Sequence, residues 1–92
     1  MPDGEARVHH YRADVLDALG RHGVRPTPTT DPRLVFEYVN DLYRYEIRRL
    51  RDQLRGGTFP RTEYARRIVE LRRRYPLVSR RLEQWTEIRN EP

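Results

Sequence analysis

From Arg33 to Arg55 the chain holds neither proline nor glycine, and the stretch is bracketed by Asp31-Pro32 on one side and Gly56-Gly57 on the other. No other feature constrains the fold as much. An aspartate just ahead of a helix accepts hydrogen bonds from the free N–H groups of the first turn. Proline suits the first helical position, where no donor is needed. A glycine at the far end can take the left-handed conformation that closes a helix. The stretch therefore predicts one helix from about Asp31 to Arg55, roughly 37 Å long at about 1.5 Å per residue. In a chain of 92 residues, such a rod leaves room for a single domain built around it.

Upstream, Val8, Tyr11, Val15, Leu16 and Leu19 recur at three- and four-residue spacing. This predicts a helix over residues 3–19, with Asp3 as its N-cap and Glu5 in its first turn. Gly20 or Gly23 can end it. Residues 24–30 hold Pro26 and Pro28, which forbid a helix and favour an extended strap along the helices. Downstream, Thr58-Phe59-Pro60 is a short connector, of a length typical of antiparallel helical neighbours. A helix is predicted over residues 60–74, stopping before Pro76 because the residue ahead of a proline avoids helical geometry. Val78, Leu82 and Trp85 keep helical spacing over a short segment at about 77–88, and Arg89 to Pro92 are expected to fray.

The expected fold is all-α and fills 1–92 as one helical domain. Its frame is an antiparallel helical hairpin of the long central helix and the shorter helix after it. An N-terminal helix and a short C-terminal helical segment pack alongside.

The faces of these helices differ. At about 100° per residue, the apolar side chains of the long helix cover an arc of roughly 220°, whereas an ordinary surface helix needs little more than about 100°. Tyr64, Ile68, Leu71 and Tyr75 of the following helix lie within about 60° of one another, a narrow seam. The long helix is thus the hub. Either its neighbours within the chain cover the whole arc, or part stays open to another chain. On the second reading Phe36, Tyr43, Ile47 and Leu54 are the expected contact residues, since Tyr and Phe are favoured at interfaces. Glu46 and Arg49 interrupt the arc three residues apart, close enough to meet. They read either as a surface pair at the helix end or as a clamp, because a buried charge needs a partner.

Composition narrows the functional classes. There is no cysteine, hence no disulfide framework, zinc ribbon or thiol nucleophile. No apolar run approaches the ~20 residues of a membrane span, and the N-terminus lacks the pattern of a signal peptide. A cytoplasmic location is the expectation, with no membrane contact, since no helix pairs a broad apolar face with a cationic one. Charged residues make up 36% of the chain, against about 25% in an average domain. Every side-chain cation of the Lys/Arg type is arginine. This reflects either genome composition or selection for planar, bidentate contacts to phosphate and carboxylate.

The net charge of +5 is uneven, because residues 58–92 carry nine arginines against five acids. Arg66, Arg67, Arg73, Arg74, Arg80 and Arg81 are accordingly the nucleic-acid candidates, with Tyr64, Tyr75 and Trp85 available for stacking. Acids alternate with the arginines at spacings that predict helix-surface pairs: Arg48–Asp52, Glu63–Arg67, Arg66–Glu70 and Glu70–Arg74. The hairpin is a poor helix-turn-helix, since its first helix is far too long.

Neither metal nor catalytic chemistry is legible. His9 and His10 are adjacent and diverge by about 100° on a helix, and His22 lies in a turn. No catalytic, cofactor-binding or metal-ligating residue is nominated, and a hairpin this small offers little room for a small-molecule substrate. The expected function is a small non-enzymatic protein–protein interaction or assembly module. It would act as a homodimer or as an accessory subunit of a larger protein. The second reading is a basic helical protein associated with nucleic acid or the ribosome.

Overall fold

The computed structural model describes residues 7–88. Among them three α-helices carry the fold: α1 (Ala13–Gly20), α2 (Pro32–Arg55) and α3 (Tyr64–Arg74). Two short antiparallel strands, β1 (His10–Tyr11) and β2 (Thr86–Glu87), pair His10 with Glu87 and Tyr11 with Thr86. The protein is mostly helical, and this small sheet is its departure from an all-α plan.

Local chemistry sets the ends of α2. The Asp31 carboxylate accepts a hydrogen bond from the backbone N–H of Arg33 at 2.9 Å, and Pro32 occupies the first helical position. At the far end Gly57 sits at φ 76°. Its N–H donates to the Leu54 carbonyl at 3.1 Å, and the Thr58 N–H donates to the Gln53 carbonyl at 2.9 Å. These two bonds satisfy carbonyls that the helix leaves free. α1 ends in the same way, with Gly23 at φ 75° and the Val24 N–H donating to the Leu19 carbonyl at 3.0 Å. Of the two glycines available, Gly23 takes the left-handed position.

α1 is shorter than its apolar spacing predicts, beginning at Ala13 rather than near residue 3. Long-range pairing has claimed the backbone ahead of it. The His9 N–H donates to the Pro28 carbonyl at 2.7 Å and the Arg12 N–H to the Trp85 carbonyl at 2.9 Å, while His10 and Tyr11 form β1. Donors committed to the strap and to the C-terminal segment cannot close helical bonds. Tyr11 is buried and its hydroxyl donates to the Thr30 carbonyl at 2.6 Å, whereas Val8 stays exposed. The expected cap Asp3, Glu5 and the tail 89–92 lie outside the described residues.

The C-terminal segment also departs from expectation. In place of one short helix over 77–88 there are two single 3-10 turns, Pro76–Ser79 and Leu82–Gln84, followed by β2. Arg80 and Arg81 adopt extended backbone between the turns and interrupt any helix. The extension carries Trp85 into the core and delivers the chain to β1. Arg80 fastens the segment to α1 by donating to the Asp14 carboxylate at 2.8 Å. α3 matches its expected span more closely, led by a 3-10 turn at Arg61–Glu63.

The core lies against the N-terminal half of α2. Val15 and Leu19 of α1, Val39 of α2, Leu71 of α3 and Trp85 are its most deeply buried side chains. The Phe36 ring meets Trp85 at 5.6 Å between centroids. Among the described residues the buried indole N–H of Trp85 has no hydrogen-bond partner, at a cost of about 1–3 kcal/mol. Phe59 is buried apart from this core, at the far end of α2, with the Arg67 guanidinium 4.3 Å from its ring centroid. Among the described residues, no helix is long and apolar enough to cross a membrane.

Candidate functional site

The long helix presents two different faces. Three of the expected contact residues point inward. Phe36, Tyr43 and Ile47 are partly buried against the core, and Tyr43 lies 5.3 Å from the Tyr75 ring. Leu54 is half-buried near the end of the helix, beside Phe59 and Tyr64. Elements before and after α2 pack on this side, so Phe36, Tyr43 and Ile47 contribute to the core of the chain itself.

A second face is largely open, although the Tyr38 phenol still lies near enough to Tyr75 to act on it electrostatically. Leu34, Tyr38 and Tyr45 keep 64%, 53% and 56% of their surface exposed. On a helix they fall within about 40° of one another, and Asp41, Arg48 and Asp52 continue the same stripe. The steps from residue 34 to 38, 41, 45, 48 and 52 alternate four and three, the spacing of a seam between paired helices. In the sequence Leu34, Tyr38 and Tyr45 belong to the broad apolar arc, whereas Asp41 and Arg48 lie on the charged arc beside it. Only packing of the other elements divides that arc into a covered and an uncovered side.

A polar groove runs between α2 and α3. The Tyr75 hydroxyl donates to the Glu46 carboxylate at 2.6 Å, joining residues 29 apart in sequence. His22 stacks on the Tyr75 ring, the two centroids 4.3 Å apart. Burial first, and then the Glu46 carboxylate, push the Tyr75 hydroxyl up to about 12. At neutral pH the phenol therefore stays protonated and hydrogen-bonds to the Glu46 carboxylate, which links the two helices. Arg49 lines the groove beside Glu46, but the partner of Glu46 is Tyr75. Next to the link, Arg21, Arg73 and Arg74 border a cavity of about 380 Å³. Among the described residues, no cluster of His, Asp and Glu could hold a metal ion.

The arginines divide into committed and free. Arg66 contacts Glu63 at 3.3 Å and Glu70 at 3.1 Å, Arg67 contacts Glu63 at 3.1 Å, and Arg80 holds Asp14. Two of the expected helix-surface pairs are thus present, Glu63–Arg67 and Arg66–Glu70. Arg48–Asp52 and Glu70–Arg74 form no ion pair. Of the nucleic-acid candidates, Arg73, Arg74 and Arg81 are free of ion pairs among the described residues.

A second free group was not singled out in the sequence. Arg51, Arg55 and Arg61 converge on a depression of about 670 Å³ where α2 turns into α3, with Leu54, Phe59 and Tyr64. The signal was hidden because the three arginines belong to two helical segments. The turn at Gly56-Gly57 brings them to one place. Compared with known families, characterised proteins and solved structures, the chain matches none of them.

Proposed function

We propose that this protein is a small, non-enzymatic assembly module that pairs with a second copy of itself through the outward face of α2. The observation that carries the reading is the open stripe of Leu34, Tyr38 and Tyr45 on a helix whose other face is already occupied. Tyrosine supplies large amphipathic contact area and is enriched where proteins meet.

The stripe is also self-complementary. With the two-fold axis at Tyr45, an antiparallel second α2 brings Asp41, which also contacts Arg44 of its own chain at 3.8 Å, near the partner's Arg48. It sets Tyr38 opposite the carboxylate at 52. Reversing the direction of the second helix places like residues side by side and loses these pairings, so the charges favour one orientation. A two-fold contact of this kind closes on itself and stops at a dimer.

The reading also takes α2 and α3 as an antiparallel hairpin. Leu54 shares a depression with Tyr64, Leu50 shares the groove with Leu71, and Glu46 bonds Tyr75. The residue numbers fall along α2 as they rise along α3. Such a hairpin stiffens the arm that displays the stripe.

Replacing Tyr45 with Arg tests the proposal, since it places two like charges at the axis while touching no buried residue. Sedimentation of the wild-type chain is expected to show a dimer, and that of Tyr45→Arg a folded monomer. A variant with unchanged mass would reject the stripe as the contact.

A further inference from the structure

We propose that the tip of the arm formed by α2 and α3 binds single-stranded nucleic acid, with Arg51, Arg55 and Arg61 on successive phosphates and Tyr64 under a base. This goes beyond the dimer reading and stands on the single chain.

Three observations meet at the tip. The first is charge without compensation. Three arginines border one depression and no acidic side chain lines it. None of the three forms an ion pair among the described residues: Asp52, between Arg51 and Arg55 in sequence, pairs with neither, and Glu63 in the turn before α3 is already held by Arg66 and Arg67. Cations gathered without partners repel one another, and a polyanion relieves that repulsion. The second is spacing. Arg51 and Arg55 stand one turn apart on α2, about 6 Å along the axis, a separation close to that of neighbouring phosphates in an extended strand. Arg61 enters from the other side of the turn.

The third is an aromatic floor. Tyr64 is half-buried at the depression, and Phe59 below it is pinned by Arg67, whose guanidinium lies 4.3 Å from the ring centroid. A free strand exposes its bases to such a ring, and stacking tolerates any sequence. The depression is open rather than enclosed, which suits a chain crossing the surface better than a small molecule held on most sides. The arginines gather in one concavity instead of lining a helix face, so the pattern is not that of a helix read into a duplex groove.

The test is fluorescence anisotropy of a short labelled oligouridine with the full-length chain across a salt series. Three neutralised phosphates at about −0.7 each predict a slope of about −2 in log affinity against log salt. The combined variant Arg51→Gln, Arg55→Gln, Arg61→Gln is expected to lower affinity by more than about tenfold and to flatten that slope. Tyr64→Leu is expected to weaken binding about tenfold with the slope retained. Arg73→Gln with Arg74→Gln is expected to change neither.

The proposal is overturned by absence of binding, by loss of binding in the Arg73/Arg74 variant and not in the tip variant, or by equal affinity for a duplex of the same length. Displacement of the strand by inorganic phosphate at equal phosphate concentration overturns it too, because the tip is then a general anion site. Sedimentation of the tip variant reads the dimer separately, so failure of one proposal is not mistaken for failure of the other.

Discussion

Replacing Tyr75 with Phe removes one oxygen from the link between α2 and α3 and leaves the ring in place. The ring keeps its stacking on His22 at 4.3 Å and its contact with Tyr43 at 5.3 Å. The lost interaction is a 2.6 Å hydrogen bond to the Glu46 carboxylate. Bonds to charged groups contribute about 1.5–3 kcal/mol. The lower end applies, because Glu46 is only half-buried beside an open groove and water can replace the phenol. A loss of about 1.5 kcal/mol follows, equivalent to a fall in Tm of roughly 6–12 °C for a domain of this size.

The assay is built into the chain. Trp85 is its single tryptophan and is fully buried, so urea unfolding can be followed by its emission. Glu46→Gln in the same assay should cost less than Glu46→Ala, since the amide oxygen can still accept from the phenol. A change below about 0.5 kcal/mol for Tyr75→Phe, the range of an ordinary surface substitution, would refute the link as a stabilising contact.

Other perturbations follow from the same geometry. Asp31→Ala removes the cap on the α2 N-terminus and should lower Tm by a few degrees in a thermal melt followed by circular dichroism, with Asp31→Asn costing less. Gly57→Ala meets no neighbouring atom, so its cost is the left-handed backbone alone, about 1–2 kcal/mol by urea titration. Tyr11 and Tyr75 both titrate at about 12 in the folded chain, raised from an ordinary value near 10 mainly by burial. The folded state therefore holds more protons than the unfolded state between those values. Stability should be intact below pH 10 and fall as pH climbs toward 12, and Tyr75→Phe should shrink that fall. Asp14 lies below the usual carboxylate range, chiefly through its hydrogen bond from Arg80. Its contribution is present above the ordinary aspartate value and lost as pH drops through its own, so Asp14→Asn should flatten the acid limb of the stability profile.

How much of this was legible in the chain depends on how local the cause is. α2 could be read because its cap, its proline and its terminal glycines act within a turn of where they stand. α3 could be read because Tyr64, Ile68, Leu71 and Tyr75 keep one period and Pro76 forbids its continuation. β1 could not, since Val8 and Tyr11 sit at helical spacing while the bonds that decide their backbone reach Pro28, Trp85 and Thr86. The C-terminal turns were hidden for the same reason: Trp85 keeps helical spacing with Leu82 and Val78, yet its position is set by the core it fills.

The candidate surfaces divide in the same way. Phe36, Tyr43 and Ile47 could be recognised as apolar helix positions, but which part of a wide arc is covered depends on where α1, α3 and Trp85 come to rest. Arg51, Arg55 and Arg61 become neighbours only through the turn after α2. Paired arginines such as Arg66 and Arg67, by contrast, were predictable from the acids three and four residues away.

The proposed pairing of the outward stripe of α2 with a second copy sets the mass of the protein in solution. Sedimentation equilibrium of the 11.2 kDa chain at physiological salt, over a wide concentration range, addresses it most directly. The mass is expected to move to twice that of the chain as concentration rises, and Tyr45→Arg is expected to stay at the monomer mass. A wild-type chain that stays monomeric at the highest concentration reached would contradict the pairing.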